Sequence, residues 1–141
     1  MEETADQKHE RREQITAQKA IIKKGNRFLI VLRSENEKAF PGLWDFPGGK
    51  LEVGEDPFES LTREVKEETG LVIKAKILEG TYDASLKDTA VKFVLYAVDV
   101  VSGSPENIVI GEEHSEYRFA TAEEIKNLKT MPYMGSYFMA K

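Results

Sequence analysis

Residues Gly48 to Leu71 read GGKLEVGEDPFESLTREVKEETGL, and this stretch carries seven acids against three bases, a net −4 of the whole chain's −5. Its second half predicts a helix over Pro57 to Thr69. Asp56 is a good N-cap, and Pro57 suits the first helical position. Glu59 would complete a capping box, and Gly70 stands where a left-handed C-terminal residue is wanted.

On that helix each residue advances by about 100°. Glu64, Glu67 and Glu68 therefore share one stripe, beside the stripe of Phe58, Leu61 and Val65 that must face the core. Arg63 and Lys66 lie outside the carboxylate stripe. Glu64 and Glu68, at i and i+4, cost each other about a few tenths of a kcal/mol. A solvated acidic face would point to open water, whereas these acids border the core. A divalent cation relieves the repulsion, since hard ions such as Mg²⁺ take oxygen ligands and hold phosphate oxygens.

Upstream, Met1 to Gln14 is polar and reads as a tail, which leaves residues 15–141 as the domain. Ile15 to Ile22 reads as a strand and Lys24-Gly25-Asn26 as a turn. Phe28 to Leu32 is a short apolar run, so the three together predict a hairpin. Ser34 to Gly42 is a loop. Downstream come two strands, Val72 to Asp83 and Val91 to Val101, then a long loop from Ser102 to Glu113. Glu116 to Phe119 reads as a last short strand. Thr121 with Glu124 starts a second capped helix, and Pro132 to Met139 a third. This order predicts an α+β fold with a mixed sheet.

The 141 residues fit one domain, and 40% apolar with 32% charged residues is an ordinary globular balance. No apolar run approaches the roughly 20 residues of a membrane span, and the N-terminus lacks a secretory apolar core, so a cytoplasmic location is expected. The absence of cysteine excludes disulfides, thiolate metal sites and a cysteine nucleophile. The acidic balance argues against a nucleic-acid duplex as partner, because such binding neutralises phosphates with Lys and Arg. Monomer and homodimer are equally open.

The spacing is more specific than the charge. Gly49, Glu55 and Arg63-Glu64-Val65-Lys66-Glu67-Glu68-Thr69-Gly70-Leu71 match G-x5-E-x7-R-E-U-x-E-E-x-G-U, where U is apolar. Seven fixed letters meet by accident in a given frame with odds on the order of 10⁻⁸. The pattern resembles the signature box of the Nudix hydrolases, with every position met. Leu43 to Lys50 (LWDFPGGK) is similar to the lead-in of MutT-type members, as is Phe28 to Arg33.

The resemblance implies an α/β/α sandwich. It also implies hydrolysis of a nucleoside diphosphate linked to another group, with Mg²⁺ or Mn²⁺ and a water nucleophile. By the same resemblance Glu64, Glu67 and Glu68 are metal ligands, joined by a carbonyl of Gly48 or Gly49. Glu55 is a lesser ligand or a structural partner, and Arg63 braces the carboxylates. Arg33 matches a phosphate-contacting arginine. Phe46, Pro47 and Gly48 match the nucleotide pocket, although plain core packing is as natural for Phe46. Glu64 is the first choice of base, with Glu112, Glu113 and Glu116 as late-loop alternatives and Glu113 preferred among them. His114, beside them, reads as structural. Leu86 to Thr89 lacks the proline of ADP-ribose-type members and the tyrosine of dinucleoside-polyphosphate types, and the NADH-type SQPWPFP array is absent. The expected substrate is therefore a small-molecule nucleoside triphosphate, an oxidised dNTP included, giving a monophosphate and pyrophosphate. ADP-ribose or a nucleotide sugar is the alternative, and a non-catalytic nucleotide-binding module a distant third.

Overall fold

The acidic stretch folds as its caps dictate in the computed structural model, which describes residues 13–86 and 88–141. Helix α1 (Pro57–Thr69) starts at Asp56, whose carboxylate accepts from the Phe58 N–H at 2.9 Å. The cap thus closes on the second helical residue, so the capping box expected through Glu59 is not formed. The helix stops at Gly70, where φ is 78° and the N–H returns to the Lys66 carbonyl. Leu61 and Val65 are fully buried as the stripe requires. Phe58 is not: it lies in the first turn, is 53% exposed, and meets the edge of Tyr96.

Two sheets form. The first is mixed, in the order β5 (Gly48–Lys50), β1 (Glu13–Ile21), β7 (Thr89–Ser102), β6 (Val72–Leu86). β1 and β7 run parallel from Glu13 opposite Thr89 to Ile21 opposite Ala97, and β6 and β7 are a long antiparallel hairpin. The second sheet is antiparallel, with β3 (Arg27–Arg33) beside β2 (Lys23–Lys24), β4 (Trp44–Asp45) and β8 (His114–Thr121).

The hairpin expected between Ile15 to Ile22 and Phe28 to Leu32 is therefore largely absent. Of that pairing, the described residues show only the short β2 strand beside β3 and the Leu29 N–H on the Ile22 carbonyl. The reason is burial. Ala17 through Ile21 are all buried, Gln18 and Lys19 included, and such a strand needs partners on both edges, which β5 and β7 supply. The tail expected over residues 1–14 lies outside the described residues except for Glu13 and Gln14, which open β1.

Strand alternation divides the interior in two. Ala20, Ile22 and Leu29 pack with Leu61 and Val65 of α1 on one side. Ala17, Ile21, Phe28 and Ile30 pack on the other with Ile125 of α2 (Ala122–Lys126) and Tyr133, Met134 and Tyr137 of α3 (Pro132–Met139). The product is an α+β fold, an α/β/α sandwich. Helix α2 carries the full Thr121–Glu124 capping box, and α3 spans the expected residues.

Candidate active site

Strand β5 brings the glycines of the lead-in against the box helix. Gly48 stands opposite Lys19 of β1 with φ 152°, and a Cβ there would lie 1.9 Å from the Gln18 carbonyl oxygen. Only glycine permits that approach. It places the Gly48 N–H on Glu68 Oε2 at 2.9 Å. Gly49 is covered by Glu64, whose Cδ would be 2.6 Å from an added Cβ.

Glu64, Glu67 and Glu68 then line one cavity of about 260 Å³ with Gly111, Glu112 and Glu113. Glu68 is buried, Glu64 half-buried, and Glu67 exposed at the rim. Glu116 sits on β8, pairs with Arg118 and is not part of this cavity. Tertiary structure thus separates Glu112 and Glu113 from Glu116, the third late-loop acid. Arg63 braces the cluster, with its guanidinium 2.6 Å from Glu55, 3.3 Å from Glu64 and 3.9 Å from Glu67. Its hydrogen bond, with that of the Glu52 N–H, holds the Glu55 carboxyl below its ordinary range. Glu55 is thereby tied to Arg63, away from the carboxylate cavity.

Burial pushes the Glu68 carboxyl up to about 8, against the pull of Lys19 and the Gly48 N–H. Glu64 is raised as well, first by burial and then by Glu67 and Glu113, with Arg63 opposing. His114 is buried with Nε2 3.5 Å from Glu68 Oε1, and burial lowers its pKa to about 4. Its Nδ1 has no hydrogen-bond partner among the described residues.

These shifts predict a pH dependence for the metal-free protein. Glu68 keeps its proton to about 8 when folded but releases it near 4.5 when unfolded, so its contribution to stability falls as pH rises between those values. His114, neutral when folded and titrating near 6.5 when unfolded, adds stability as pH rises from about 4 to 6.5. The two slopes oppose each other below pH 6.5, and only that of Glu68 remains above it. Chelator-treated protein should lose at most about 2 kcal/mol between pH 6.5 and 8, which is about 5 °C in Tm. Glu68→Gln should remove that slope. A flat profile in the unaltered chain would refute the assignment to Glu68.

A second cavity, of about 520 Å³, opens beside the first and shares Glu64, Glu68 and Glu113 with it. Lys19 and Asp45 lie on its floor, residues the sequence reading passed over. Lys19 Nζ donates to Asp45 Oδ2 at 2.7 Å, and the Tyr133 hydroxyl donates to Asp45 Oδ1. The available signal was a charge inside each apolar run, AQKAII and LWDFP. Arg33 reaches this cavity too, but Nε and Nη2 donate to the Ala39 and Phe40 carbonyls.

Phe46, expected at the pocket wall, is fully buried among Phe28, Tyr133, Tyr137 and Phe138. Its ring fills the core beneath α3, so the aromatic residues lining the cavity are Phe40 and Phe93 instead. Pro47 is also buried, and its carbonyl accepts from the Ala20 N–H at 2.8 Å.

The donor set suits a hard divalent cation, being carboxylate oxygens from two elements around one small cavity. Among the described residues no three of these groups already converge on one point. Arg63 draws Glu64, and the Gly48 N–H holds Glu68, while like charges stand apart. Oxygens from water or a ligand would complete such a shell.

Comparison with known proteins agrees with this geometry. The family model described as NUDIX domain matches residues 14–140. An ADP-ribose pyrophosphatase of Methanocaldococcus jannaschii is 34% identical over 110 residues, 77% of this chain and 62% of that protein. The chain thus spans less than two-thirds of that relative's length. A nucleoside triphosphatase NudI of Salmonella agona is 31% identical over 114 residues, 74% of this chain and 80% of its own. The crystal structure of a MutT protein from Methanosarcina mazei Go1 superimposes with a TM-score of 0.81 at 29% identity, covering 92% of this chain and 94% of that one. With the signature met at every position and its helix carboxylates Glu64, Glu67 and Glu68 gathered at one cavity, the chain belongs to the Nudix hydrolase family.

Proposed function

We propose that the protein hydrolyses a phosphoanhydride bond in a nucleoside triphosphate, with Mg²⁺ as cofactor and Mn²⁺ able to substitute, to give a nucleoside monophosphate and pyrophosphate. The observation that carries this reading is the pair of adjoining cavities, one ringed by Glu64, Glu67, Glu68 and Glu113, the other floored by Lys19. Glu64, Glu67 and Glu68 would hold the cation, with a carbonyl of Gly48 or Gly49. The bound ion supplies charge neutralisation at the phosphates and a more acidic water. Glu64 would serve as the base for the attacking water, and Glu113, across the cavity, is the second choice. Arg63 keeps Glu64 oriented through its hydrogen bond. The cytoplasmic location and small-molecule partner expected from the sequence belong to this same proposal. No helix among the described residues is long and apolar enough to cross a membrane.

A second reading, hydrolysis of ADP-ribose, is favoured by the Methanocaldococcus relative. Product analysis separates the two. Purified protein with Mg²⁺ is offered nucleoside triphosphates, oxidised dNTPs, ADP-ribose, dinucleoside polyphosphates and nucleotide sugars. Release of pyrophosphate and monophosphate is expected from a triphosphate. Turnover confined to ADP-ribose, giving AMP and ribose phosphate, selects the second reading. Metal-independent binding without turnover of any of them would leave only the non-catalytic module.

A further inference from the structure

Among the described residues one non-glycine has positive φ, and it is Phe40, at 53°. A bulky aromatic residue rarely adopts this conformation, and it persists only where its surroundings over-determine it. Here the surroundings are Arg33. Its Nε donates to the Ala39 and Phe40 carbonyls at 3.2 Å each, and its Nη2 to the Ala39 carbonyl at 2.9 Å. The loop is closed at its base by the Gly42 N–H on the Arg33 carbonyl and the Ser34 N–H on the Glu113 carbonyl. The segment from Ser34 to Gly42 is thus wound around one guanidinium.

The strained residue lies on the larger cavity, where it packs against the edge of the main core. Phe93 also lines it, but that ring is stacked on Tyr133 with centroids 4.4 Å apart and is 4% exposed. Phe40 is partly exposed and makes no ring pair among the described residues. The cavity floor is graded. Ile15, Ala17 and Lys19 alternate onto one face of β1, and the parallel register sets Val91 beside Ile15 and Phe93 beside Ala17. At about 3.3 Å per residue, the apolar end at Ile15 lies about 13 Å along β1 from Lys19. That is about the reach from a phosphate to the far edge of a nucleobase.

We propose that Phe40 is the ring on which the substrate's nucleobase stacks, and that Arg33 is the positioning residue that holds it there instead of a phosphate contact. The inference rests on the nucleotide reading above. It assigns base recognition to the Phe40 ring and leaves the phosphates to the other cations that line the cavity with the carboxylates, Lys19, Lys50 and Arg63.

The test uses Phe40→Gly, which keeps the left-handed backbone but deletes the ring, Phe40→Tyr, which keeps the ring, and Arg33→Lys. For each, kcat and KM are measured with a nucleoside triphosphate, and binding of a non-hydrolysable nucleotide analogue is measured by calorimetry. Inorganic tripolyphosphate, which has no base, serves as a competitive inhibitor. Phe40→Gly should raise KM and the analogue's Kd about tenfold or more, with kcat and tripolyphosphate inhibition little changed. Phe40→Tyr should match the unaltered chain. Arg33→Lys should reproduce Phe40→Gly, and the double variant should be no worse than either, since both remove one stacking surface. Unchanged analogue binding in Phe40→Gly would overturn the stacking role. Equal weakening of nucleotide and tripolyphosphate in a folded Arg33→Lys would return Arg33 to the phosphates. Failure of the catalytic reading looks different: no turnover in the unaltered chain, with the calorimetric arm still deciding whether Phe40 binds a base.

Discussion

Glu68→Gln and Glu64→Gln are each expected to lower metal-dependent turnover by about a hundredfold or more while leaving the fold intact. Glutamine preserves shape and one acceptor oxygen, so Glu68→Gln retains an acceptor for the Gly48 N–H. What it removes is a negative charge and one hard donor oxygen from a cavity whose remaining acids are Glu64, Glu67, Glu112 and Glu113. The expected signature is a raised Mg²⁺ requirement and a depressed kcat, with a Tm in chelator equal to or above that of the unaltered protein. In the metal-free state Glu68 already keeps its proton below about 8, so the amide costs it nothing, and Glu64→Gln relieves the repulsion from Glu67 and Glu113. Glu67→Gln, at the exposed rim, should be milder. Near-normal turnover in both Glu64→Gln and Glu68→Gln would sink the assignment of this cavity as the reaction centre.

The second large effect is on stability. Lys19→Met should lower the free energy of unfolding by about 3 kcal/mol or more, or roughly 10 °C in Tm. The Lys19 and Asp45 side chains are 7% and 1% exposed, so their 2.7 Å contact is largely shielded from water. Removing the ammonium leaves a buried carboxylate with the Tyr133 hydroxyl and a guanidinium of Arg33 at 3.8 Å. Neither replaces a direct ion pair. Lys19→Met with Asp45→Asn should recover at least half of the loss, because the amide carries no charge yet still accepts from Tyr133. Equilibrium denaturation of the two singles and the double reads the coupling directly. A Lys19→Met protein within about 1 kcal/mol of the unaltered one would show that the pair is not what holds β1 to β4.

Local chemistry was legible from the outset wherever neighbours in sequence are neighbours in space. Helix α1 starts at Asp56 and ends at Gly70 because caps act over three or four residues, and the Glu64, Glu67, Glu68 stripe follows from helical periodicity alone. The Thr121 capping box was readable for the same reason. Phe58 marks the limit of that periodicity. Its angle on the helix is right for the core, but its place in the first turn leaves it against the edge of Tyr96.

What the chain could not reveal along its own length depends on contacts between distant segments. The parallel pairing of β1 with β7 joins residues 76 positions apart, Ile15 with Val91, and no local pattern specifies it. That pairing buried Lys19 and Gln18, which in turn required Asp45 and the Pro57 carbonyl as partners. It also built the graded cavity floor. Arg33 and Phe46 show the same division. Their residue types matched substrate contacts, yet loop carbonyls claimed the guanidinium and α3 claimed the ring. The sequence by itself determined the carboxylate stripe of the helix, because capping and helical period are short-range. Tertiary structure alone decided which charges are buried and which ring faces the cavity, because burial is a property of the whole packed chain.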